Sequence, residues 1–196
     1  MTNTIDYYNN NAKAFNDSTV GVDFYEMQDK FLGNISGGKK ILDFGCGSGR
    51  DTKYFLSKGY DVDATDGSIK MCRLASELTG IEVKQMMFDE LSAVDKYDGI
   101  WACSSILHLN KADLKDVMIK MVAAVKDTGI IYTSFKYGDF SGERSGRFFT
   151  DFTAESFRKF IKDIPILEIR EEWITGDVRP GRGNEKWLNL IIQKRR

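Results

Sequence analysis

The sequence predicts a doubly wound α/β sandwich, a seven-stranded, mostly parallel sheet with an antiparallel last strand and helices on both faces. Three observations predict it. From Lys39 onward, short apolar runs ending at Gly or Asp alternate with stretches of helical spacing, the texture of βαβ units. The last two apolar runs follow one another with only a polar connection between them, which reads as an antiparallel pair. A glycine-rich turn, Gly45-Cys46-Gly47-Ser48-Gly49, joins the first run to the first helix of the alternation. Ligands of open α/β sheets gather at such strand ends.

Taken in order, residues 6–33 place Tyr8, Ala12, Phe15, Phe24, Met27 and Phe31 at helical spacing and predict helices ahead of the sheet. Strands are expected at KKILDF (39–44), YDVDATD (60–66), IEVKQMMFD (81–89), YDGIWACSS (97–105) and GIIYTSF (129–135). Helices are expected between them, over 50–58, 68–78, 111–125 and 153–162. PILEIREEWIT (165–175) and EKWLNLIIQKR (185–195) are the closing strands, joined by GDVRPGRGN. No repeat or composition shift divides the chain. It is expected to form one domain over 1–196, with helices or a lid in 1–38 and the α/β core in 39–196.

Composition narrows the function classes. Hydrophobic residues at 42% and charged residues at 29% are globular rather than disordered usage. A formal net charge of −1 provides no global basic field for nucleic acid or a membrane surface, though a local basic patch is not excluded by it. The N-terminus has no signal-peptide pattern and no apolar stretch reaches membrane-span length, so a cytoplasmic location is expected. Cys46, Cys72 and Cys103 are odd in number and scattered, and His108 is the one histidine. No disulfide framework or metal site is expected from them.

The chemistry centres on ILDFGCGSGRDT. Glycine lets the backbone turn sharply and approach a ligand, and the helix that follows presents an anion-friendly end. A dinucleotide fingerprint would need a glycine where Arg50 stands, and the P-loop lysine–hydroxyl pair is missing. Asp43, two residues before Gly45, is a poor neighbour for a pyrophosphate and a good one for an amino group or a positive charge. Asp66 and Asp89 end the next two apolar runs. Each acid alone reads equally as a helix cap. Three at successive strand ends, one of them beside a glycine triple, read as a ligand site.

An acid followed by G-x-G-x-G resembles the first motif of the class I S-adenosylmethionine-dependent methyltransferases. The likeness runs through YDVDATDGS, MFDEL, YDGIWACSSILHL and GIIYTSFKYG, with small bacterial tellurite-resistance and ubiquinone-methyltransferase types nearest in look. The resemblance implies a Rossmann-like fold and S-adenosylmethionine as cofactor. Asp43, Gly45, Cys46, Gly47 and Gly49 would flank its methionine part and Asp66 its ribose, with Gly67 alongside. Asp89 would meet the adenine amino group, Met71 or Phe88 would pack on the ring, and Cys103 would complete the lining.

For the acceptor side, His108 has two readings: a base beyond the fourth strand, or a packed ring at the start of the next helix. The segments SGERSGRFF and GDVRPGRGN carry Arg144, Arg147, Arg179 and Arg182, with Trp187 following. Read as mobile loops, they would grip an anion through guanidinium forks. Tyr8 would reach the site from an N-terminal lid. The expected function is methyl transfer to a small, anionic metabolite. RNA or protein methylation and non-catalytic cofactor binding are the alternatives, and oligomeric state is left open.

Overall fold

The computed structural model describes residues 2–195. Its helices are α1 (Thr2–Thr19), α2 (Tyr25–Asn34), α3 (Arg50–Ser57), α4 (Ile69–Thr79), α5 (Lys111–Ala124) and α6 (Ala154–Ile161). The strands are β1 (Lys40–Phe44), β2 (Asp61–Asp66), β3 (Val83–Gln85), β4 (Tyr97–Ala102), β5 (Val125–Lys136), β6 (Ser141–Arg144), β7 (Arg147–Thr150), β8 (Leu167–Gly176) and β9 (Lys186–Lys194). Seven of them form one sheet in the order β3-β2-β1-β4-β5-β9-β8. β1 to β5 pair in parallel, and β9 runs antiparallel to both β5 and β8. The strand order reverses between β1 and β4, which opens a crevice at the carboxyl ends of the central strands.

The central strands are apolar on both faces because helices cover both. Leu42, Ile100, Ile131 and Leu190 face the layer of α5 and α6, where Met118, Met121 and Phe157 meet them. Their neighbours Ile41, Trp101, Tyr132 and Ile191 face Met27 and Phe31 of α2 and Phe55 of α3. Trp101 and Tyr132 are register partners with rings stacked 4.0 Å apart. Fully burying such side chains contributes roughly 1.5–3 kcal/mol each, provided their polar ends are satisfied. They are: Trp101 Nε1 donates to Asp51 at 2.8 Å, and the Tyr132 hydroxyl to Asn189 at 2.7 Å.

Local chemistry sets the helix starts. Ser68 caps α4 by accepting from the Met71 N–H, Asn110 caps α5 by accepting from Ala112 and Asp113, and Thr153 and Ser156 form a reciprocal cap on α6.

Three expectations need correction. The third strand shrinks from 81–89 to Val83–Gln85, because it is an edge with one neighbour, and Phe88–Glu90 winds into a 3₁₀ turn instead. SGERSGRFF is a hairpin rather than a loop. Ser145 and Gly146 both have left-handed φ (51° and 76°), which makes a two-residue turn between Arg144 and Arg147. β5 starts at Val125 rather than 129, since Val125 pairs with Tyr97 ahead of a bulge.

The crevice depends on the turn after β1. Gly45 has φ +86°, and a Cβ there would lie 2.5 Å from Ser105 Cβ. Gly80, the left-handed cap of α4 at φ +75°, has open space around it. Gly80→Ala is therefore expected to cost only the backbone term, about 1–2 kcal/mol. Gly45→Ala adds overpacking, for roughly 2–5 kcal/mol. Urea denaturation of the two variants checks this, and equal losses would contradict the packing argument.

Candidate active site

A cavity of about 390 Å³ opens at the carboxyl ends of β1, β2, β4 and β5. Helix α1, the β6–β7 hairpin and the β8–β9 connection wall it on the other side. Of the residues expected at a cofactor, Asp43, Gly45, Cys46, Gly47, Asp66, Gly67, Phe88 and Cys103 all line it. Those expected at an acceptor, Tyr8, His108, Arg144, Arg147, Arg179, Arg182 and Trp187, line it too.

Three expected residues stand elsewhere. Gly49 lies behind the turn, packed on Ala75, where its left-handed φ starts α3. Met71 is wholly buried in α4, because helical phase turns it into the core. Met86 and Met87 line the cavity beside Phe88 instead. Asp89 is exposed in the 3₁₀ turn, and its carbonyl accepts from Lys120. The shortening of β3 moves it away from the strand end.

At the β1–β2 end the acids differ in how well they are satisfied. Asp51 is buried and accepts from Gln28, Arg50 and Trp101, which fixes α2, α3 and β4 to one another. Asp66 accepts the Gly47 N–H at 3.0 Å and the Ser68 N–H at 2.8 Å, one on each oxygen, and burial raises its pKa. Asp43 is 2% exposed and accepts from the Thr52 hydroxyl alone at 2.5 Å. Burial, and then the Asp51 charge, hold its carboxyl well above the usual carboxylate range. A buried acid facing a cavity with so little compensation suits a cationic ligand. Burial also pushes the Cys103 thiol up to about 12, so it is no nucleophile at neutral pH.

At the other end, both nitrogens of His108 are engaged. Nδ1 lies 2.6 Å from the Phe148 carbonyl oxygen, which can only accept, so Nδ1 carries the proton. Nε2 then accepts from the Tyr8 hydroxyl at 2.8 Å. Burial, with help from the Arg147 charge, lowers the His108 pKa to about 4, and the ring is neutral at physiological pH.

The four arginines are not alike. Arg144 donates to both oxygens of Asp151, and Arg179 pairs with Asp177. Arg182 lies 3.8 Å from Glu185, which also pairs with Lys136. Arg147 has no carboxylate partner among the described residues. Its Nε is buried without an acceptor, and Nη1 reaches only the Tyr8 hydroxyl at 3.4 Å. Its guanidinium stands 4.4 Å above the Tyr7 ring and 5.1 Å from that of Phe149. The expectation of four anion-seeking arginines narrows to one.

Sequence reasoning missed Asp51, whose position directly after Gly49-Arg50 was the available signal, and Asp177, which neutralises Arg179. It also missed Asn9, which accepts from the Ser68 hydroxyl at 2.7 Å and ties α1 to the cap of α4.

Residues 41–129 match the methyltransferase domain family. A probable S-adenosyl-L-methionine-dependent methyltransferase, TehB of Haemophilus influenzae, is 24% identical over 166 residues, covering 80% of this chain and 57% of its own length. An uncharacterised methyltransferase of Staphylococcus carnosus is 24% identical over 110 residues, 56% of this chain and 52% of that protein. The chain thus spans just over half the length of these curated relatives. Among solved structures, Burkholderia thailandensis 1,6-didemethyltoxoflavin-N1-methyltransferase superposes with a TM-score of 0.75 at 20% identity. That match covers 98% of this chain and 85% of the other. No helix of the described residues is long and apolar enough to cross a membrane. The acid-plus-glycine turn and the strand order agree with these likenesses, and residues 41–129 are similar to a methyltransferase domain.

Proposed function

We propose that the chain transfers the methyl group of S-adenosylmethionine to a small metabolite bearing a negative charge. The observation that carries this reading is the polarity of one cavity. Asp43, Asp51 and Asp66 lie at its β1–β2 end, and Arg147, a cation without a carboxylate, lies at the other. When bound, the cofactor supplies an activated methyl group on a sulfonium.

The residues present suit it. The under-compensated Asp43 carboxyl would take the ammonium group. Asp66 keeps acceptor capacity on both oxygens for a ribose diol after its two backbone bonds. Gly67 is closely covered, since a Cβ there would lie 2.6 Å from Ile5 and 3.2 Å from the Met87 sulfur, so glycine lets α1 and the 86–88 segment close over this end of the cavity. Helix α1 closes the site through Tyr8, Asn9 and the Thr4 hydroxyl, which accepts from the Phe148 N–H, and so excludes water.

A cavity of this size is ordinary for a small ligand. The Burkholderia relative, solved with a small heterocycle bound, supports the same scale of acceptor. Pairing of Arg144 with Asp151 and of Arg179 with Asp177 leaves less free positive charge to neutralise phosphates, which favours a small acceptor over RNA.

The test combines calorimetry with S-adenosylmethionine and transfer of label from its tritiated methyl group to three pools: deproteinised metabolite extract, RNA and protein. Label is expected in the metabolite pool. Label in RNA or protein would overturn the small-acceptor reading, and absence of cofactor binding would overturn the methyltransferase reading.

Asp43 makes a second outcome specific. Because its folded-state pKa is raised, the free protein loses stability as pH rises through that value, and a bound ammonium group reverses the loss. The thermal shift produced by S-adenosylmethionine is therefore expected to grow between about pH 6 and pH 7.5. In Asp43→Asn the growth should vanish. The same growth in the variant would show that Asp43 does not meet the cation.

A further inference from the structure

We propose that Tyr8 and His108 form a two-step proton relay at the acceptor end, serving an acceptor that carries a proton-bearing O–H or N–H nucleophile beside an anionic group held by Arg147. This rests on the methyl-transfer reading above and goes beyond it, since it names which atom meets the acceptor.

The geometry leaves one route for a proton. His108 Nδ1 is committed to the Phe148 carbonyl and Nε2 to the Tyr8 hydroxyl, so the imidazole presents no free nitrogen to the cavity. Tyr8 Oη is the end of the pair that keeps acceptor capacity. Its hydrogen points to Nε2, which leaves its lone pairs for an incoming donor, and Arg147 Nη1 stands beside it at 3.4 Å. A proton leaving the acceptor therefore passes to Tyr8 Oη while the phenol's own proton passes to His108 Nε2. The resulting imidazolium keeps its Nδ1–H bond to Phe148. The nucleophile gains the methyl carbon as the carbon–sulfur bond breaks, and the electron pair of that bond stays on sulfur. The proton later returns from His108 to water, through the same hydroxyl.

Arg147 links acceptor choice to basicity. The groups facing the pair are Arg147 from β7 and, towards Tyr8, Asp66 from β2, Tyr7 from α1 and Arg179 from the β8–β9 connection, whose charge Asp177 offsets. Burial disfavours a cation at His108, and the Arg147 charge adds to that penalty. An anionic group seated on Arg147 cancels the guanidinium field and makes the imidazolium easier to form. A neutral acceptor would leave the base weak. A carboxylate methylated on its own oxygen would have no proton to give, and the relay would be idle. The class selected is therefore an acid with a neighbouring hydroxyl, amine or ring N–H.

Because His108 is the one histidine in the chain, its ring can be observed alone. With ¹⁵N-histidine-labelled protein, NMR is expected to find the Nδ1–H tautomer with Nε2 as an acceptor, neutral to below pH 5. Tyr8→Phe should shift the Nε2 resonance, and Arg147→Met should raise the titration midpoint. An Nε2–H tautomer, or a titration indifferent to both changes, would overturn the relay whatever the acceptor is.

Turnover gives the second arm, with deproteinised metabolite extract and tritiated-methyl cofactor as the probe. Tyr8→Phe and His108→Gln should each slow transfer by about 10²–10⁴-fold with cofactor affinity unchanged, and the double variant should be no slower than the worse single one. Multiplying effects, or wild-type rates in Tyr8→Phe, would sink the relay while leaving methyl transfer standing. Tyr8→Phe removes one oxygen only, so it carries the test should His108→Gln fold poorly. The wild-type product should be retained on an anion exchanger, and an uncharged product would rule out the anionic class.

Discussion

The turn at the end of β1 is the constraint on which the ligand side of this protein depends. The chain must leave a strand held between two neighbours and enter α3 within five residues. It does so with left-handed φ at Gly45, Gly47 and Gly49, while the N–H groups of Gly45 and Cys46 both donate to the Thr65 carbonyl at 2.9 Å. That geometry frees the Gly47 N–H to reach the Asp66 carboxylate on the adjacent strand. It also aims α3 so that Asp51 accepts the indole N–H of Trp101. One backbone shape thus orients a cavity-lining acid and a structural one.

The two buried acids of this region show how burial separates roles. Asp51 carries donors from three elements, and its desolvation cost is offset by charge-assisted hydrogen bonds. Asp43, one hydroxyl donor to its name, is held in its neutral form by the same surroundings. The first acid is complete without a ligand. The second has one donor within the polypeptide and stands on the cavity wall.

The opposite end of the cavity is assembled differently. Tyr8 comes from α1, His108 from a 3₁₀ turn after β4, Arg147 from the β6–β7 hairpin and Arg179 from the β8–β9 connection. No sequence interval relates them. Packing of α1 against β7 and α4 brings them together, through the Thr4–Phe148 and Asn9–Ser68 hydrogen bonds. Carboxylates from the same segments then neutralise Arg144 and Arg179 and leave Arg147 without one.

The sequence by itself determined what depends on neighbours in the chain. Alternating texture gave the sheet and its covering helices, and the antiparallel β9 followed from two consecutive strand-like runs. Asp43 and the glycine turn, with Asp66 at the end of β2, were legible because a strand end and its turn are local features with fixed side-chain period. Tertiary structure decided the rest. Whether Asp89 sits at a strand end depended on how far β3 could pair at an exposed edge. Met71 or Met86 beside the cavity was a question of helical phase against a surface not yet built. Which arginine stayed unpaired was set by how the hairpin and the β8–β9 connection fold, which brings Asp151 to Arg144 and turns Asp177 back onto Arg179. His108 had two readings from its position, a base or a packed ring, and only the folded chain placed a tyrosine hydroxyl from a hundred residues earlier on its second nitrogen. Charges and hydrogen bonds act through space, so their outcome waits on the fold.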